Sequence, residues 1–240
     1  MKIAILGYGK MGHIVEKVLR GRGHEAVAVI DNDADWQRLG GEFRQAEVAI
    51  DFSEPSAAVP NILRAFEANV PVVVGTTGWL DRLEEVRQAC EAHNGRLVYG
   101  SNFSIGVNLF FKVNQLLAKL MNTQPRYHAA VEETHHIHKK DAPSGTAIHI
   151  AEDILREVDA LQEWRLTPCD HTRVTLPVTA IRQGEVPGTH VVTWDSPEDT
   201  IEIRHTAHSR EGFALGAVLA AEWLPLQPAG LYPFDTTLIS

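Results

Sequence analysis

The chain has 240 residues, with 22 Lys plus Arg against 31 Asp plus Glu and a formal net charge of -9 with histidine neutral. This length suits one large domain or two modest ones, and a composition 44% hydrophobic and 22% charged excludes a disordered, collagenous or disulfide-built chain. The acidic balance argues against nucleic acid or an anionic membrane as partner, since both demand a field of Lys and Arg.

Along the first hundred residues short apolar runs alternate with helical patterns: KIAILG, GHIVEKVLRGRG, AVAVID, EVAIDF, a helix over 56–69, VPVVVG, LDRLEEVRQACEAH and RLVYG. Continuous Val and Ile runs bounded by glycine or acids predict strands buried on both faces, as in a parallel sheet covered by helices. From Phe103 the rhythm changes. A helix over 107–122 leads to YHAAVEETH, a histidine-rich loop and an amphipathic helix opening near Ser144. Three alternating runs follow, TRVTLPVTAIRQG from Thr172, GTHVVTWDS and DTIEIRHTAHS, and predict antiparallel strands with one covered face. FALGAVLAAEWL predicts an apolar helix that returns to the first domain. Cys90 and Cys169 make neither a disulfide framework nor a cysteine zinc site and read as core hydrophobes of a reducing cytosol. No apolar run approaches the ~18 residues of a membrane span, so a cytoplasmic protein with no membrane contact is expected.

Gly7, Tyr8, Gly9, Lys10, Met11 and Gly12 follow the first strand directly and open a helix. Gly7 suits a tight turn, Gly9 a close backbone approach to a pyrophosphate, and Gly12 tight helix–strand packing. The free N–H groups of the helix start favour the phosphate anion. Asp31 ends the next strand at the spacing of an acid that binds a ribose 2′-hydroxyl. Asn32 and Asp33 follow it, with no neighbouring cation for a 2′-phosphate, so NADH is expected in preference to NADPH. Open parallel sheets bind ligands at the carboxyl ends of their strands. On that edge Phe52 offers a stacking face, Gly75, Thr76 and Thr77 a ribose or nicotinamide contact, and Gly100, Ser101, Asn102 and Phe103 a third loop. The expected architecture is α/β: a Rossmann-type doubly wound parallel sheet from 1–104 and 212–240, and an α+β substrate domain with an open, mostly antiparallel sheet from 105–211.

The densest chemistry is EETHHIHKKDAPSGTA, residues 132–147, where three histidines and two lysines make a cationic spot suited to an anionic substrate. Ser144 is a natural N-cap, and Gly145 and Thr146 present free N–H groups that can bind a carboxylate. With the carboxylate held there, Lys139 is placed to donate a proton. Metal binding by His135, His136 and His138 competes with this reading, but no HExxH helix or further cysteine accompanies them, and no metal is expected.

With GYGKMG, DFSEPSA, GTTGW, SNFSIGVN and AIRQGEVPGTH, this run resembles the 4-hydroxy-tetrahydrodipicolinate reductase family over nearly the whole chain. The resemblance implies NADH- or NADPH-dependent reduction of a cyclic dicarboxylate in diaminopimelate and lysine synthesis, by a homotetramer joined through the sheet of the substrate domain. It implies His135 as acid/base, Lys139 as proton donor, and His136, Gly145 and Thr146 as substrate contacts. The cofactor contacts it implies lie at 7–12, Asp31, 75–77 and 100–103. The stretch between Asp31 and the DFSEP loop is short for the family, which implies a helix or strand absent on that side of the sheet.

Overall fold

The computed structural model describes residues 1–169 and 173–237; Thr172, where the first alternating run begins, lies outside them. In chain order the first strands and helices are β1 (Lys2–Leu6), α1 (Lys10–Gly21), β2 (Glu25–Ile30), α2 (Asp33–Phe43), β3 (Val48–Asp51), α3 (Pro55–Glu67), β4 (Val72–Val74), α4 (Leu83–His93) and β5 (Arg96–Tyr99). Then come α5 (Ile105–Met121), β6 (His128–His135), α6 (Gly145–Glu157), β7 (Glu163–Leu166), β8 (Thr175–Arg182), β9 (Gly188–Asp195) and β10 (Thr200–Ala207). The last are α7 (Glu211–Trp223), β11 (Gly230–Pro233) and α8 (Phe234–Thr237). The chain divides into two compact units, Met1–Ile105 with the segment from Arg210 onward, and Gly106–Ser209.

The first unit holds a sheet in the order β11-β5-β4-β3-β1-β2, parallel throughout. Alternation along β1 sends Ala4 and Leu6 into a core shared with α2, α3 and α4, and Ile3 and Ile5 into a second core under α1 and α7. Helices therefore cover both faces. The chain leaves β1 for β2 on one side and returns to β3 on the other, which puts a topological switch point at the carboxyl ends of β1 and β3.

The short stretch after Asp31 does contain a helix, α2, started by the Asn32 side chain, which accepts the Asp35 N–H, with Asp33 and Asp35 in its first turn. Gly40 and Gly41 thin its apolar stripe and hide it from periodicity. The strand order ends at β2, so the sheet has its edge there.

In the second unit the sheet runs β10-β9-β6-β8-β7, and it is mixed, with the longer ladders antiparallel. The pairs β10/β9 and β9/β6 are antiparallel, whereas β6/β8 and β8/β7 are parallel. The cause is α6, which carries the chain from the end of β6 back across the sheet, so that β7 and β8 start at the same end as β6. Helices α5 and α6 close its core through Phe110, Phe111, Ile150 and Ile154 over Val131, Leu176, Val178 and Trp194. Among the described residues no helix is long and apolar enough to cross a membrane.

Helix α7 lies close enough to the chain that a Cβ at Gly216 would stand 1.8 Å from the Phe103 carbonyl oxygen. Gly216→Ala is expected to cost about 3 kcal/mol, read from the denaturant midpoint at unchanged slope. An unchanged midpoint would contradict this contact.

Candidate active site

At the switch point of the first unit, Gly7 has φ +83°, and a Cβ there would meet the Phe52 carbonyl oxygen at 2.5 Å. A Cβ on Gly12 would meet the Gly7 carbonyl oxygen at 2.4 Å, so both positions demand glycine. Gly9 differs: nothing lies within 4 Å of a Cβ placed on it, and no side chain caps the helix it begins. The result is an open cradle in front of uncapped N–H groups, which fits a pyrophosphate. The Tyr8 N–H donates to Asp31 Oδ1 at 2.6 Å, fixing that carboxylate at the end of β2.

Two cavities flank this turn. One, of about 430 Å³, is lined by Gly7, Asp31, Asn32, Asp33, Trp36 and Arg64 among others. The other, of about 420 Å³, is lined by Gly9, Lys10, Met11, Phe52, Gly75, Thr76 and Thr77 with Ser53 and Pro55. The loops after β3 and β4 are joined beneath it by a buried carboxylate. Asp51 accepts from Ser53 Oγ at 2.7 Å, Thr76 Oγ1 at 2.7 Å and Asn61 Nδ2 at 2.9 Å. Burial pushes its carboxyl up, against the pull of those bonds. The Thr76 hydroxyl is thus committed to holding the loop. Gly100, Ser101, Asn102 and Phe103 line neither cavity; the Phe103 ring is buried in the core beside Phe234, at 4.4 Å between centroids.

In the second unit, period-two alternation puts Val131, Glu133 and His135 on the buried face of β6. Glu133 is fully buried. Its Oε1 accepts from the Ser144 N–H at 3.0 Å and from Arg182 Nη2 at 3.0 Å, while Oε2 lies 3.1 Å from His135 Nδ1. That last contact is off-line for a hydrogen bond, and acts as charge against ring nitrogen. Burial alone would push the carboxyl of Glu133 up, but His135, Ser144 and Arg182 together hold it down at about 2. An ionised carboxylate only accepts, so it favours a proton on His135 Nδ1 and leaves Nε2 for other partners. Gly188 faces that nitrogen: a Cβ there would approach Nε2 to 3.0 Å.

His190 completes the cluster, with Nε2 3.3 Å from Ser144 Oγ and 3.8 Å from Glu133 Oε2. Burial, then the charge of His135, pushes its pKa down to about 4, so it is neutral near pH 7. Glu133, His135 and His190 bring ligand-type atoms within 4.8 Å of one another, the one such group among the described residues, and His136 and His138 are not in it. Arg182 already supplies positive charge to the same carboxylate.

Beyond His135 the chain turns toward α6. The Arg182 guanidinium also donates to the Asp141 carbonyl at 2.5 Å, and the Lys139 ammonium donates to both Asp141 carboxylate oxygens at 2.9 and 2.8 Å. Ser144 Oγ accepts the Ala147 N–H at 3.2 Å, so the N-cap is filled, while Gly145 is exposed with open space over its Cα. His136 is half-buried, its ring 5.9 Å from that of the exposed His138. Glu133, Arg182 and His190 escaped the sequence reading. Glu133 had a signal, its i, i+2 phase with His135; Arg182 and His190 had none, because strand register brings them in.

A glycine-rich turn at the switch point of a doubly wound sheet in one unit and a buried Glu–His cluster in the mixed sheet of the other define the class as a nicotinamide-nucleotide oxidoreductase of two units. Residues 1–103 match the family description "Dihydrodipicolinate reductase, N-terminus", and residues 106–238 its "C-terminus". The chain is 48% identical over 224 residues to a 4-hydroxy-tetrahydrodipicolinate reductase of Christiangramia forsetii, covering 93% of this chain and 92% of that one. A relative of the same description from Archaeoglobus fulgidus is 36% identical, covering 99% of this chain and all of its own. A dipicolinate-bound dihydrodipicolinate reductase from Paenisporosarcina sp. TG-14 shares the fold, with TM-score 0.80 at 21% identity over 99% of each chain. The chain belongs to the dihydrodipicolinate reductase family.

The buried cluster makes the protein acid-sensitive in a defined window. His190 has a folded pKa of about 4 against an ordinary 6.5, and Glu133 about 2 against 4.5. In each case the unfolded chain binds the proton more readily, so stability is complete above pH 6.5. It falls from pH 6.5 toward 4 through His190 and from 4.5 toward 2 through Glu133, each on the order of 3 kcal/mol. His190→Gln is expected to flatten the first part of the profile in denaturant titrations. A wild-type slope between pH 6.5 and 4.5 in that variant would contradict this.

Proposed function

We propose that the chain reduces 4-hydroxy-tetrahydrodipicolinate to tetrahydrodipicolinate with loss of water, using NADH in preference to NADPH. The observation that carries this reading is the short segment of the second unit that holds His135, Lys139 and the open helix start at Gly145 and Thr146, organised around the buried Glu133. A bound nicotinamide nucleotide supplies the hydride. Gly7, Tyr8, Gly9, Lys10, Met11, Gly12 and Asp31 would hold its pyrophosphate and ribose, with Phe52, Gly75 and Thr77 at the nicotinamide end. Asp31, followed by Asn32 and Asp33, accepts from a 2′-hydroxyl and repels a 2′-phosphate, which favours NADH.

In the second unit the N–H groups of Gly145 and Thr146 take a substrate carboxylate, with His136 beside them. Lys139 delivers the proton that accompanies hydride transfer. Asp141 orients its ammonium until substrate competes for it. His135 has Nδ1 turned to Glu133, so Nε2 is the nitrogen able to take the proton from the ring carbon next to the hydroxyl and return it to that hydroxyl, which leaves as water while the ring double bond forms. We further propose a homotetramer built through the sheet of the second unit, where β10 forms an exposed edge, and a cytoplasmic location, consistent with Cys90 and Cys169 being free thiols.

The test is NADH oxidation coupled to fresh product of the preceding synthase. Lys139→Ala is expected to lower kcat by about 100-fold or more, the scale of one general acid, and to leave cofactor affinity within twofold. Wild-type turnover in that variant would remove Lys139 from the mechanism; absence of NADH oxidation by the unsubstituted protein would overturn the function itself.

A further inference from the structure

Arg64 supplies a cation that no residue near Asp31 in sequence provides. It lies in the last turn of α3, yet folding sets it in the wall of the 430 Å³ cavity beside Gly7, Asp31, Asn32 and Asp33. Its guanidinium carbon stands 4.9 Å from the centre of the Trp36 ring, and Nη2 lies 3.3 Å from Asp33 Oδ1. Trp36, Asp33 and Arg64 also line a neighbouring cavity, so the stacked pair forms a partition between the two.

Two features separate this arginine from an ordinary surface ion pair. The indole face holds the guanidinium in a defined plane by cation–π contact. Its carboxylate partner, by contrast, is 86% exposed and touches it once, a contact worth little and readily exchanged. A phosphate monoester offers more: higher charge and oxygens spaced for two parallel N–H···O bonds to the guanidinium fork.

We propose that Arg64 is the residue through which this protein accepts NADPH: the guanidinium leaves Asp33 and takes the 2′-phosphate of the adenosine ribose, offsetting repulsion from Asp31. The proposal rests on the reading of this cavity as the adenosine-ribose end of the dinucleotide site. Charge sets its limit. Asp31 and Asp33 against Arg64 leave the lining one negative charge, and the phosphate adds about 1.5 to 2 more. NADH thus stays the better ligand, and NADPH binds by way of a single guanidinium.

Isothermal titration of the full chain with NADH and with NADPH tests this without reference to turnover. Arg64→Ala is expected to weaken NADPH at least about tenfold, the scale of a lost charge-assisted hydrogen bond, and to leave NADH within twofold. Asp33→Asn, which removes the competing carboxylate and keeps Arg64, is expected to tighten NADPH several-fold with NADH unchanged, and it carries the test if Arg64→Ala fails to fold. Equal loss of both cofactors in Arg64→Ala, unaltered NADPH affinity there, or no gain for NADPH in Asp33→Asn would each overturn the proposal. Failure of the unsubstituted chain to bind NADH would overturn the dinucleotide reading instead.

Discussion

The carboxylate of Glu133 joins three segments of the second unit that are distant in sequence: the end of β6, the start of α6 and the end of β8. Taking a carboxylate fully out of water costs several kcal/mol, and it remains ionised because Ser144, Arg182 and His135 converge on it. The Ser144 N–H that Oε1 accepts belongs to the N-cap of α6, while Oε2 faces His135, so one carboxylate sits against both the imidazole and the helix end that presents Gly145 and Thr146. Arg182 extends the hold to the Asp141 carbonyl, which pins the loop between them at both ends. Without that carboxylate the loop would have an N-cap and an ion pair but nothing to set His135 against them.

The first unit uses a similar device for another purpose. Asp51 ends β3 beside the switch point and binds Ser53, Asn61 and Thr76, which ties the loops after β3 and β4 together. Asp51 itself lines neither cavity but holds residues that do, and Phe52 beside it packs against Gly75, where any Cβ would stand 2.1 Å from the ring. In both units a buried acid ties together segments at the end of a strand.

What the sequence made legible was local. The GYGKMG turn, the Asp31 that closes β2, the N-cap at Ser144 and the strand–helix alternation each depend on residues within a few positions of one another. Long-range register was hidden. Arg182 reaches Glu133 across 49 positions because β8 pairs with β6, and the alternating pattern of β8 gave no hint that β6 would separate it from β9. Arg64 of α3 meets Trp36 only through the fold, across a gap from α2, a helix whose two glycines concealed it. Phe103 shows the converse: a loop position that looked available to a ligand gives its ring to the core.

The claim that Glu133 organises His135 is tested most directly by the nitrogen-15 shifts of the His135 imidazole near pH 7, in the wild-type protein and in Glu133→Gln. The account predicts a protonated Nδ1 and an unprotonated Nε2 in the wild type, and a mixture of tautomers once the charge is removed. Identical tautomer populations in the two proteins would contradict it.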